Sequence, residues 1–187
     1  MINTNEIRNG MTIQFEGNIY TVLEFQHMKT AKAGAIMQTK LRNLRSGTII
    51  YKNFNGGTNI DTADVTKSTM QYLYASGDTH VFMNNETYEQ IELDKSRLTY
   101  ELNFLTEGMN VIIMSFEDEI LGLELPDKVE LEIIETAGDA RGNTASNAKK
   151  EALTNTGYKL LVPLFIKNGE RIVVSTVSGE YDSRAKQ

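Results

Sequence analysis

Six basic side chains, Lys29, Lys32, Lys40, Arg42, Arg45 and Lys52, lie between Glu24 and Asp61 with no carboxylate among them. Lys40 and Arg42 stand two apart, so on a strand they share a face, a spacing that suits a phosphate backbone. Within QHMKTAKAGAIMQTKLRNLRSG, the tip Thr30-Ala31-Lys32-Ala33-Gly34 is small at every position except Lys32. Small residues let a backbone enter a narrow cleft, and the lysine adds a flexible stem ending in a point charge. Such groups can bind phosphates and hold a reacting partner in place. A charge cluster on a loop can equally be a solvated face.

Other chemistries find little support. With no cysteine in the chain, disulfides, thiolate metal sites and cysteine nucleophiles are excluded. His27 and His80 are the only histidines and lie far apart in sequence, which favours ordinary structural roles over a metal site or a triad. Glu117-Asp118-Glu119 could ligate a hard cation, but it falls between two strand patterns, where a solvated turn is expected. Gly56-Gly57 lacks the Lys-Ser/Thr that a phosphate loop needs. Neither a metal nor a cofactor is expected.

The net charge of −6 argues against binding nucleic acid by bulk attraction, yet it is unevenly spread. Residues 1–64 carry net +2, residues 65–126 net −8 and residues 127–187 net 0. The N-terminus has no basic stretch leading into an apolar core, and nowhere do eighteen apolar residues run together. A cytoplasmic protein with no membrane partner is expected.

The elements that must position these residues read as strands. MTIQFEGNIYTVLEF alternates on both sides of Glu16-Gly17-Asn18, a hairpin signature, and Ala35–Leu44 with Thr48–Phe54 reads as a second pair about Arg45-Ser46-Gly47. The first sixty or so residues therefore predict a small antiparallel barrel in which the lysine tip joins two long strands. A second hairpin turns at Gly77-Asp78. Leu98, Leu102 and Leu105 share a helical stripe, predicting a helix over Asp94–Glu107 with Asp94 or Ser96 as N-cap and Gly108 as stop. NVIIMSF and ILGLELP complete that unit. KVELEIIET opens a third, the polar stretch Ala137 to Lys150 reads as a loop, and YKLLVPLFI with RIVVSTV reads as a hairpin about Lys167-Asn168-Gly169-Glu170. The division is 1–64, 65–126 and 127–187, all-β in three small barrel domains.

Three segments resemble bacterial elongation factor P: HMKTAKAGAIMQTKLRNLRSG, then ALTNTGYKLLVPLFIKNGE with its Gly157, Val162-Pro163 and Gly169, and the ending GEYDSR. Together, in this order and spacing, they are specific, and the resemblance covers essentially the whole chain. It implies a KOW/SH3-like barrel followed by two OB-fold barrels in an L-shaped, tRNA-like arrangement. It further implies a non-enzymatic translation factor that binds the ribosome between the peptidyl and exit sites, contacts peptidyl-tRNA and relieves stalls at consecutive prolines. Lys32 matches the family's tip lysine, which is usually modified and lies beside the CCA end of the tRNA. Lys29, Thr30, Ala31, Ala33 and Gly34 form its loop. Arg141, Asn143, Thr144, Tyr181 and Arg184 join Lys40, Arg42 and Arg45 as candidate RNA contacts, each also compatible with plain surface packing. Val162, Pro163, Leu164 and Phe165 are assigned to the core, and tRNA mimicry implies a monomer.

Two departures stand out. The family's common tip has Pro-Gly before the lysine and Gly after it, whereas this chain has Thr30-Ala31 before Lys32 and Ala33 after it. A fixed φ and easy access to positive φ are both lost, leaving open whether a lysine-modifying enzyme reads this tip. Asn143 stands where aspartate is usual. Competing readings are a general OB/SH3-type RNA- or protein-binding module, which would depend mainly on Lys40, Arg42 and Arg45, and, more distantly, a hydrolytic or metal-dependent enzyme.

Overall fold

The structure is a computed structural model. It describes residues 1–30, 34–136 and 149–186, without the side chains of Lys29, Thr30 and Gly34. Among the described residues, regular structure consists of strands and three short 3₁₀ turns.

The first sheet holds β1 (Ile2–Asn3), β2 (Thr12–Phe15), β3 (Asn18–Thr30), β4 (Gly34–Asn43), β5 (Ile49–Asn55) and β6 (Asn59–Thr62), in the order β1-β6-β2-β3-β4-β5. β2 turns into β3 through Glu16 (φ 47°) and Gly17 (φ 76°), with Phe15 opposite Asn18. Both central residues are left-handed, as a two-residue turn matched to strand twist requires. Ile7, Ile13, Tyr20, Val22, Met37, Leu41 and Ile60 form the core beneath this sheet.

The second sheet holds β7 (Thr66–Ser76), β8 (Thr79–Asn84), β9 (Gln90–Asp94), β10 (Asn110–Phe116) and β11 (Glu119–Glu124), ordered β11-β10-β7-β8-β9. The hairpin at Gly77-Asp78 forms as expected, with Ser76 opposite Thr79. The expected helix over Asp94–Glu107 does not. Gln90–Asp94 is strand, and only two 3₁₀ turns follow, Lys95–Arg97 and Glu101–Asn103. Asp94 does cap the first of them, its carboxylate accepting from the Ser96 N–H. Of the stripe, Leu98 and Leu105 are buried and Leu102 is half-buried, while Phe104, which lies outside the stripe, is fully buried.

The third sheet holds β12 (Lys128–Thr136), β13 (Lys149–Thr154), β14 (Lys159–Pro163), β15 (Arg171–Ser175) and β16 (Tyr181–Arg184), ordered β14-β13-β12-β15-β16. The expected hairpin between β14 and β15 is therefore absent. β14 pairs with β13, while the Gly169 N–H to Ile133 carbonyl and Ile133 N–H to Glu170 carbonyl bonds lead β15 onto β12. Pro163, which has no N–H to donate, ends β14, and the chain turns there through an Ile166 N–H to Pro163 carbonyl bond. That turn buries Ile166 and leaves Phe165 56% exposed, against its assignment to the core. Of the other residues so assigned, Val162 is fully buried and Pro163 and Leu164 are half-buried.

Contacts divide the chain into two compact units, residues 1–68 with 113–122 and residues 69–112 with 123–187. In the first, Ile19, Leu44, Ala63 and Leu121 make a second core cluster, with Val65, Met114 and Phe116 against it. In the second, Phe104 is packed among Val129, Leu131, Ile133, Val162, Ile172 and Val174.

Candidate nucleic-acid interface

The basic segment is carried by a two-stranded arm. β3 and β4 pair from Tyr20 opposite Asn43 to Thr30 opposite Gly34, with an irregularity between Val22 and Glu24. Alternation explains why the arm has two faces: Met37, Thr39 and Leu41 are buried on one, while Gln38, Lys40 and Arg42 are on the other. Ala31, Lys32 and Ala33 fall between the paired ends and lie outside the described residues, as do Arg141, Asn143 and Thr144. The backbones of Lys29, Thr30 and Gly34 belong to the arm's last rungs.

Near its outer end, one rung from Thr30 and Gly34, the arm is held by a close backbone approach. The Gly56 N–H donates to the Ala35 carbonyl at 2.6 Å, and a Cβ on Gly56 would stand 2.6 Å from that of Ala35 and 2.8 Å from its oxygen. Gly56→Ala is expected to cost about 1–3 kcal/mol through overpacking. Amide exchange should accelerate locally at Ala35–Gln38; an unchanged pattern there would show that this contact tolerates the methyl.

Of the three strand and turn cations singled out from the sequence, two meet carboxylates. The Lys40 Nζ lies 2.8 Å from the Glu24 Oε1, its partner across the arm, and this hydrogen bond and charge raise the lysine pKa. Arg45 makes a two-pronged contact with Glu119, Nε to Oε1 and Nη2 to Oε2 both at 2.7 Å, and its Nη1 donates to the Gly17 carbonyl at 3.2 Å. This fork on a carboxylate is the geometry guanidinium favours, and it raises the arginine pKa further. Arg42 is exposed and makes no side-chain hydrogen bond or ion pair among the described residues. Lys52 projects toward the other face, 4.4 Å from the Phe15 ring centroid and 3.9 Å from the Glu16 Oε1.

In the third sheet, Tyr181 is half-buried against the core, opposite Val174. Arg184 spans two groups: its Nε is 3.1 Å from the Glu170 Oε2 and its guanidinium carbon sits 4.7 Å from the centroid of the exposed Phe165 ring. That stacked cation and ring form a surface feature hidden from sequence periodicity, which had placed Phe165 inside.

Three elongation factor P models match consecutive parts of the chain: the KOW-like domain over residues 3–60, the OB domain over 65–123 and the C-terminal domain over 129–184. The chain belongs to the elongation factor P family. It is thus a translation factor, all-β, with KOW-like and OB domains. Among solved structures, it is similar to a eukaryotic translation initiation factor 5A from Methanococcus jannaschii, at 16% identity and TM-score 0.49, covering 65% of this chain and 94% of that one. A translation initiation factor 5A family protein from Naegleria fowleri is similar at 17% identity and TM-score 0.48, with 66% and 96% covered.

Among the described residues, the two histidines and the Glu117–Glu119 acids do not come together in one acid–base constellation. His27 is exposed on the arm, edge-on to Phe25. His80 is buried, with its Nδ1 3.0 Å from the Tyr72 hydroxyl, and burial lowers its pKa. Glu117 and Asp118 form the turn between β10 and β11, Glu117 at φ 52°, while Glu119 is the partner of Arg45. Among the described residues no cluster of three His, Cys, Asp or Glu could hold a metal.

His80 gives a pH dependence whose sign is fixed. Its folded pKa lies below the unfolded value near 6.5, so the unfolded chain binds more protons within that window. Stability from this group is complete above the unfolded value and falls as pH drops toward the folded one. The melting temperature of wild type should decline on acidification below about pH 6.5 more steeply than that of His80→Gln. Parallel profiles would remove His80 as the cause.

Proposed function

We propose that this chain binds the ribosome between the peptidyl and exit sites, holds peptidyl-tRNA and stimulates peptide-bond formation, relieving stalls at consecutive prolines. Family membership supports the reading. The observation that carries it is the arm, whose paired strands run as far as Thr30 and Gly34 on either side of Ala31-Lys32-Ala33. Proline is a constrained substrate that reaches attack geometry poorly, so a factor that orients the CCA end and nascent chain contributes position and needs no general acid, base or nucleophile.

In this reading Lys32 is the functional tip, acting in the cytoplasm from a monomeric factor with no metal or cofactor. The substitution of Thr30-Ala31 and Ala33 for the family's Pro-Gly and Gly leaves two active forms to distinguish: Lys32 extended by a modifying enzyme, or Lys32 acting through its own ammonium group. Intact mass and peptide mapping across Gln26 to Lys40 separate them. The function itself is tested by translating a consecutive-proline template in a purified system without any such factor. Adding the chain should remove the stalled-ribosome toeprint; a persistent toeprint at saturating factor would overturn the proposal.

A further inference from the structure

The outward face of β3, β4 and β5 carries two adjacent cross-strand rows, Glu24–Lys40–Tyr51 and Gln26–Gln38–Asn53, each set by the pairing register from strand to strand. Together they line a shallow open groove. Tyr51 is 79% exposed, an unusual position for a large ring, and the Lys40 Nζ lies 6.0 Å from its centroid. Beside it, the side-chain amides of Gln26, Gln38 and Asn53 make no hydrogen bond among the described residues. Along β4 in the other direction is the exposed Arg42, opposite Ile49, which is 44% exposed and extends the apolar surface next to the ring.

We infer that this face is a platform for single-stranded RNA, on which an unpaired base stacks against Tyr51 while the Gln26, Gln38 and Asn53 amides meet base edges and Arg42 and Lys40 meet phosphate. This inference rests on the reading of the chain as a ribosome-binding factor but concerns a face separate from the Lys32 tip. A free aromatic face beside cations and open amide donors and acceptors is the combination by which unpaired bases are recognised. Charge favours RNA over a protein occupant: Glu24 is the sole acid of the two rows, and it is already paired with Lys40. A phosphate arriving there exchanges one anionic partner of Lys40 for another and gives Arg42 a counter-ion. Neither step strands a buried charge.

The test measures anisotropy of a short fluorescein-labelled unstructured RNA at low salt, using the full chain. Wild type should bind it more tightly than a duplex of equal length. Tyr51→Ala should weaken binding about tenfold, the loss of one stacked base, and Tyr51→Phe, which keeps the ring, should stay within about twofold. Equal binding by wild type and Tyr51→Ala, preference for the duplex, or no binding by wild type overturns the inference. On ribosomes, a photoreactive benzophenone amino acid in place of Tyr51 should crosslink to an RNA nucleotide; a crosslink to a ribosomal protein or to a second copy of the chain overturns the platform. Should wild type fail to bind ribosomes at all, the ribosomal reading falls and the oligonucleotide measurement still decides the platform.

Discussion

Phe104→Ala is expected to lower the unfolding free energy by about 3–5 kcal/mol, the range for emptying a buried phenylalanine site. The ring is fully buried in the cluster formed by Val129, Leu131, Ile133, Val162, Ile172 and Val174, and it packs 5.2 Å from the ring of Tyr100 and 5.0 Å from that of Tyr158. Polar bonds fix the same segment: the Tyr100 hydroxyl donates to the Thr176 carbonyl at 2.5 Å, and the Thr156 hydroxyl donates to the Asn103 carbonyl at 2.6 Å. Because neighbours on several strands converge on the ring, the cavity cannot close without moving that whole network. Urea unfolding should show a lower midpoint with little change in slope. A loss under about 1 kcal/mol would mean that the segment does not hold the core together in this way.

Lys32→Ala is expected to bring relief of proline stalls down to the level without factor, leaving the melting temperature unchanged. The proposal asks one side chain to order the CCA end, and removing an orienting contact of this kind can cost about a hundredfold in rate even when nothing else moves. Stability should be indifferent, since β3 and β4 are paired through Thr30 and Gly34 without that side chain. Full-length product from a consecutive-proline reporter, compared with a proline-free one, reads the effect. Wild-type relief by Lys32→Ala would remove the tip from the mechanism.

The sequence was most legible where turn chemistry punctuates alternation. Glu16-Gly17 and Gly77-Asp78 turn where expected because positive φ leaves few residue choices, and the long strands either side of Lys32 follow from their period of two. β13 was missed for a physical reason: its inward positions are Lys150, Ala152 and Thr154, of which only the small Ala152 is apolar. The stripe Leu98, Leu102 and Leu105 fits a helix and a pair of 3₁₀ turns almost equally well, and only tertiary packing around Phe104 decides between them.

At the site, the outward face of Lys40 and Arg42 could be read from a spacing of two, but their partners could not. Arg45 meets Glu119, 74 residues away in the chain, a pairing no local pattern announces. Tyr51 was passed over because alternation says only that it faces away from Ile50 and Lys52, not that its ring is left open. Arg184 was chosen for its place in the family-like ending GEYDSR and for its guanidinium, and its contacts with Phe165 and Glu170 depend on where Pro163 turns the chain.

The most direct measurement is the single-turnover rate of peptide-bond formation on ribosomes programmed with consecutive proline codons, with and without the chain, beside a phenylalanine control. The chain should accelerate the proline reaction selectively and leave the control rate unchanged. Equal rates with and without the chain, or equal acceleration of both reactions, would contradict a factor that works by orienting a reluctant substrate.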